Sequence, residues 1–244
     1  MLSSRLARAC AKSAALVGAA LLLAASPSAE ATPYTYDQFS RMTQRSAGQY
    51  WQGGSAAGQW AWSPNVNGSS DISWGDPTPW PPAGYEHFTR DSQWVYLEGY
   101  GDRTTGEFLP QVVTSESIGD VNCQTMTPLP NAGGRQHYTK WTISPTAYCV
   151  DAVGYLDYHG TRIDYRHQQV WFPPSGPTCT NTYYVNQRCL KQFERYWDNN
   201  GNPGGPLVLR HWRDHILAKD LGMAFIVHDY ATNWEAHGRY YWTY

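Results

Sequence analysis

The chain has 244 residues, 18 basic against 20 acidic side chains and a formal net charge of −2. That balance argues against nucleic-acid binding through a basic surface. No run of apolar residues is long enough for a membrane-spanning helix, so no membrane anchor is expected.

The first 31 residues read as a secretory signal peptide. Arg5, Arg8 and Lys12 precede an apolar stretch from Ser13 to Ala25, and Ala29-Glu30-Ala31 offers small residues for cleavage before Thr32. The expectation is a secreted, extracellular protein whose residues 32–244 form a single globular domain. That mature part keeps 15 basic and 19 acidic residues. It also holds all twelve tryptophans, all 18 tyrosines and all six phenylalanines. A domain of this size cannot bury every one of them, so some are expected to line a groove.

Residues 34–50 predict a first helix, with Phe39, Met42, Arg45 and Ala47 forming a stripe and Thr35 and Gln38 spaced as a capping box. Residues 51–86 are dense in Gly and Pro, carry Trp51, Trp60, Trp62, Trp74 and Trp80, and read as a long aromatic loop region with short strands. Strands are expected at 93–100, at 108–115 and at 138–150 with a break at Pro145. Residues 151–172 predict a hairpin. A His159-Gly160 turn sets Asp157 opposite Arg162, Leu156 opposite Ile163 and Tyr155 opposite Asp164. Its charged face is expected to be a solvent-side ladder.

Tyr183 to Trp197 predicts a second helix. A third opens at Gly204-Gly205-Pro206, where Val208, Trp212 and Ile216 recur every four residues, and ends at Gly222. Residues 223–230 and 239–244 read as final strands. The expected fold class is α+β, an antiparallel β-sheet with about three packed helices and two disulfides. Of the four mature cysteines, Cys123, Cys149, Cys179 and Cys189, neighbours in sequence are expected to pair, giving Cys123–Cys149 and Cys179–Cys189. The spacings contain no C-x-x-C, so zinc is not expected. No phosphate loop, dinucleotide fingerprint or EF-hand pattern occurs, and no cofactor is expected.

His211 and His215 are the sharpest pair of candidate catalytic residues, because a spacing of four on a helix brings two imidazoles to one face. Trp212 stands where a helical zinc protease carries its general-base glutamate. Asp229 follows His228 at a strand end, where catalytic side chains are common. Glu98 shares a face with Trp94, Tyr96 and Tyr100 by period two, an apolar setting that raises a carboxyl pKa and offers rings for a sugar to stack on. Asp164 or Asp157 would be its partner, since glycoside hydrolysis takes two carboxyl groups.

The resulting expectation is a secreted protein that engages an extracellular polymer, carbohydrate above all, through an aromatic-lined groove. Its enzymatic form is a glycoside hydrolase using Glu98 with Asp164 or Asp157 as acid and base. The alternatives are a non-catalytic lectin, inhibitor or toxin-like effector, and a metal-dependent hydrolase centred on His211 and His215.

Overall fold

The computed structural model describes residues 33–40, 42–43, 46–52, 55–64, 69–75, 84–174, 179–181, 184–220, 226–229 and 234–243. At 46–52, 55–64, 73–75, 179–181, 184–187, 226–229 and 234–243 the description is of the backbone alone. The expected signal peptide lies outside the described residues.

One helical turn, α1 (Asp37–Ser40), is followed by β1 (Ser46–Gln52), β2 (Ser55–Pro64), β3 (Ser70–Gly75), β4 (Gly84–Arg90) and β5 (Trp94–Asp102). Next come β6 (Glu107–Pro110), β7 (Val112–Gly119), β8 (Thr127–Pro128), β9 (Gln136–Lys140), β10 (Tyr148–Tyr158) and β11 (Thr161–Phe172). The chain continues through β12 (Cys179–Asn181), β13 (Tyr184–Gln187), β14 (Cys189–Asp198), β15 (Val208–Ala218), β16 (Ile226–Asp229) and β17 (Trp234–Thr243). The α+β expectation is therefore corrected. The fold is mostly antiparallel β-sheet, with one short helix among the described residues.

Each predicted helix fails for a physical reason. The first is reduced to α1 and gives way to β1. Thr43 donates its backbone N–H and its hydroxyl to the Asp37 carboxylate, closing the chain back on that single turn. The second is β13 and β14, and the third is β15. A spacing of four is a multiple of two, so Trp212 and Ile216 share one side of a strand as readily as one face of a helix, while the bulge between Leu209 and His211 puts Val208 on the other side. The glycine- and tryptophan-rich segment is likewise mainly strand, β1 to β4.

Fifteen strands form one sheet. Neighbours run β6-β5-β4-β3-β2-β1-β17-β16-β15-β14-β11-β10-β7-β8, with β9 on β5, and all pairs are antiparallel. β6 and β7 are a single stretch of chain divided at Gln111, whose N–H donates to the Glu98 carbonyl at 2.8 Å. β6 pairs with β5 and β7 with β10. The series of neighbours therefore closes on itself, as in a barrel.

The hairpin of β10 and β11 has the register expected from sequence, Asp157 to Arg162, Leu156 to Ile163 and Tyr155 to Asp164. His159 and Gly160 both take positive φ, 51° and 77°, the pairing a type I′ turn requires. On the outer side Arg162 lies 2.6 Å from Asp164, and Arg166 binds Asp151 through two nitrogens at 3.0 and 2.6 Å.

The apolar core gathers Phe88, Val95, Leu97, Tyr148, Val150, Trp171, Leu190 and Leu217, and Tyr36, Phe39 and Met42 from the α1 segment pack into it. Trp171 Nε1 donates to the Tyr138 carbonyl at 3.0 Å. One disulfide is seen, Cys123–Cys149. Cys189 is also disulfide-bonded, while the Cys179 side chain of the expected second bridge lies outside the described residues. Two complete disulfides are therefore not shown.

Candidate functional site

Side chains alternate along a strand, so β14 turns Gln192, Glu194 and Tyr196 inward and Phe193, Arg195 and Trp197 outward. Register sets the neighbours of the inner row. Gln169 and His167 of β11 lie opposite Glu194 and Tyr196, and His215, Arg213 and His211 of β15 lie opposite Gln192, Glu194 and Tyr196. Along β11 the inner row passes from Trp171 in the apolar core to Gln169, His167 and Tyr165. One part of the interior is thus oily and the adjoining part polar.

Glu194 is the hub of the polar part. It is 7% exposed. His211 Nε2 lies 3.1 Å and His215 Nε2 3.2 Å from its Oε1, His167 Nε2 lies 3.4 Å from its Oε2, and Arg213 Nη1 is 3.9 Å away. Burial opposes the charge on Glu194. The attraction of His215 and hydrogen bonds from His167 and His211 outweigh it and hold the carboxyl well below the usual range. Burial lowers the His211 pKa, with Glu194 pulling the other way, so His211 favours its neutral form.

A second carboxyl, Glu86, stands on the same side of β4 as buried Phe88, within electrostatic reach of Glu194 and Arg213. It pairs with Tyr100 in the ladder between β4 and β5. Burial, then the charge of Glu194, pushes its pKa up to about 8, against the pull of Arg213. At neutral pH one carboxyl of the interior therefore carries a proton and the other does not.

Aromatic rings support the cluster. The His211 ring stacks on Tyr196 with centroids 5.2 Å apart at 10°, and Tyr196 stacks on Tyr165 at 5.9 Å and 18°. Tyr165 donates to Gln111 Oε1 at 3.2 Å, and Gln111 Nε2 donates to the Tyr100 hydroxyl at 3.3 Å. Two buried polar atoms beside Glu194, namely Gln169 Oε1 and Gln192 Nε2, have no hydrogen-bond partner among the described residues. His211, Arg213 and His215 point inward, yet solvent reaches 19%, 33% and 12% of their side chains, so the polar interior is not fully packed.

The structure brings His211 and His215 together on one carboxylate. Glu98 and Asp164 stand elsewhere. Glu98 accepts from Thr89 Oγ1 and lies 3.6 Å from Arg135, while Asp164 is held by Arg162 and by Asn199 Nδ2 at 3.0 Å. Asp157 caps the turn by accepting from the Gly160 N–H at 2.8 Å. The Asp229 side chain lies outside the described residues. Against β4, β5 steps past Glu98, since His87 pairs with Gly99 and Phe88 with Leu97. This bulge reverses the alternation. Trp94 and Tyr96 stay near the Glu98 side, against His137 and Asp91, whereas Tyr100 turns to the interior.

Glu194, His167 and Glu86 were not singled out by sequence reasoning. The signal available was the alternation of Gln192, Glu194 and Tyr196 with Phe193, Arg195 and Trp197, which marks a strand polar on one face. Among the described residues no group of three or more His, Cys, Asp or Glu side chains is arranged to hold a metal ion. No family model, curated protein or solved structure matches the chain.

Proposed function

We propose that this chain is an exported acid–base enzyme that takes a hydroxyl-rich ligand, a saccharide unit, into the polar interior and hydrolyses a glycosidic bond there. Glu86 is the proton donor and Glu194 the carboxylate. The observation that carries the reading is the convergence of His167, His211 and His215 on buried Glu194 in an interior shared with Glu86. Two carboxyl groups in one site with ionisation driven apart are the parts such a reaction needs. A protonated carboxyl, an amide, a phenol and an imidazole also suit hydroxyl groups, and the Tyr196 and Tyr165 rings suit the C–H faces of a sugar.

The test is turnover on a panel of aryl glycosides and oligosaccharides. Glu86→Gln and Glu194→Gln should each remove hydrolysis while the far-UV circular dichroism stays native. A wild-type protein inactive on the whole panel, or variants as active as wild type, would overturn the reading. Export is tested separately by N-terminal sequencing of protein recovered from the medium, with Thr32 expected first.

A non-catalytic binding module is the second reading. It is favoured by the outer row in which Arg195 stacks on Phe193 and Trp212. Glycan affinity that survives in both glutamine variants of a protein without turnover would select it.

A further inference from the structure

On the outer side of the sheet, away from Glu194, a cavity of about 180 Å³ opens between β11, β14 and the loop that follows β7. That is far above the ~10–15 Å³ one water needs. Its walls are of two kinds. Val170, Phe172 and Phe193 give an apolar floor, and Val121 with the Cys123 end of the loop gives an apolar rim. Phe172 is 37% exposed there, a large ring left open to solvent. The polar groups are Arg195, Gln168 and Asn122.

Arg195 is held in an unusual way. Its guanidinium carbon lies 5.1 Å from the Phe193 ring centroid and 5.2 Å from that of Trp212, two rings set at 81° to each other, so the cation rests in the corner they form. Of the nearby carboxylates, Asp151 is bound by both nitrogens of Arg166 and by Gln168 Nε2 at 2.9 Å. Asp214, across the ladder from Phe193, forms no ion pair with Arg195 and has a partner of its own. Contact with aromatic rings leaves guanidinium N–H groups for an anion, to which they fit in two-point fashion.

We infer that this cavity is a binding site for a small monocarboxylate with an apolar body, the carboxylate on the edge of Arg195 and the body against Val170, Phe172 and Phe193. A neutral hydroxyl-rich ligand would leave the cation unused. A multiply charged anion would meet Asp151 and Asp214 and gain nothing from the apolar floor. The disulfide has a part in this site. Cys123 takes φ 55° and is tied to Cys149 of β10, which holds the Val121–Cys123 rim over the sheet.

The experiment is an NMR titration of the full mature protein with benzoate, and with benzamide as its uncharged counterpart. Saturable shifts at Gln168, Val170, Phe172 and Arg195 are expected with benzoate. Benzamide should bind about tenfold more weakly or less, as should benzoate to Arg195→Met, in keeping with the loss of a charge-assisted hydrogen bond. Three results overturn the inference: no saturable benzoate shift at these residues, equal binding of benzamide, or full affinity in Arg195→Met with native circular dichroism. The benzamide comparison needs no variant, so a misfolded Arg195→Met leaves the question decided.

Discussion

The ring of His211 lies almost parallel to that of Tyr196, at 10°, and this stack aims the imidazole at the carboxylate next to it on the ladder. Tyr196→Leu removes the ring and keeps the strand. The expected result is a mobile His211 whose pKa returns towards 6.5 from its lowered value. Imidazole nitrogen shifts followed from pH 5 to 8 would show it. An unchanged His211 titration would mean that the stack does not position the ring.

Stability should fall as pH rises towards 8, and Glu86 is the reason. Its folded pKa of about 8 lies above the unfolded value near 4.5. The folded state therefore binds more protons between these values, and stability is lost as pH rises through that window. His211 works in the opposite sense, because its folded pKa is lowered and its contribution is lost as pH falls below 6.5. The Glu86 effect should accordingly be cleanest between pH 6.5 and 8. Urea midpoints at pH 6.5 and 8 should differ in wild type and differ less in Glu86→Gln.

Two glycines of one hairpin should respond unequally to alanine. At Gly160 an added Cβ meets nothing within 4 Å, so only the left-handed φ of 77° matters, at about 1 kcal/mol. At Gly154 the same carbon would stand 2.4 Å from the Val112 carbonyl oxygen and 2.8 Å from the Tyr165 hydroxyl. Backbone cannot step aside there, so Gly154→Ala should cost about 3 kcal/mol or more and disturb the Tyr165–Gln111 contact. Paired denaturation curves decide it, and equal losses would contradict the close approach of β7 to β10.

The Cys123–Cys149 bridge closes a loop with a sequence separation of 26. Chain-entropy arguments put its contribution at about 3 kcal/mol. Replacing both cysteines by serine should lower the melting temperature by several degrees. Hydrogen exchange should rise first at residues 120–125, the rim of the outer cavity.

Local features were legible in sequence and distant ones were not. The β10–β11 register could be read because a two-residue turn with positive φ dictates it without reference to the rest of the chain. His211 and His215 were paired on helical grounds, and they do share a face, but on a strand, because four is even. Glu194 was out of reach for a different reason. Its setting is made by His167 from the preceding hairpin and by Glu86 from far upstream, and nothing local to residue 194 records either. An inward polar row also inverts the usual rule that the polar side of a strand faces water. The bulge at Glu98 is the same kind of lesson in miniature: one extra residue sent Tyr100 to the other side from Trp94 and Tyr96.

Pairing between β1 and β17 joins Ser46 to Thr243, 197 residues apart in sequence. β1 waits for β17. Until Trp234–Thr243 is in place, β1 offers a bare edge of unmet N–H and C=O groups to any other extended chain. The sheet is thus completed by a very distant contact, and correspondingly slowly. A copy that stops short of Trp234 has no seam to close, and its fate is clumping with its own kind.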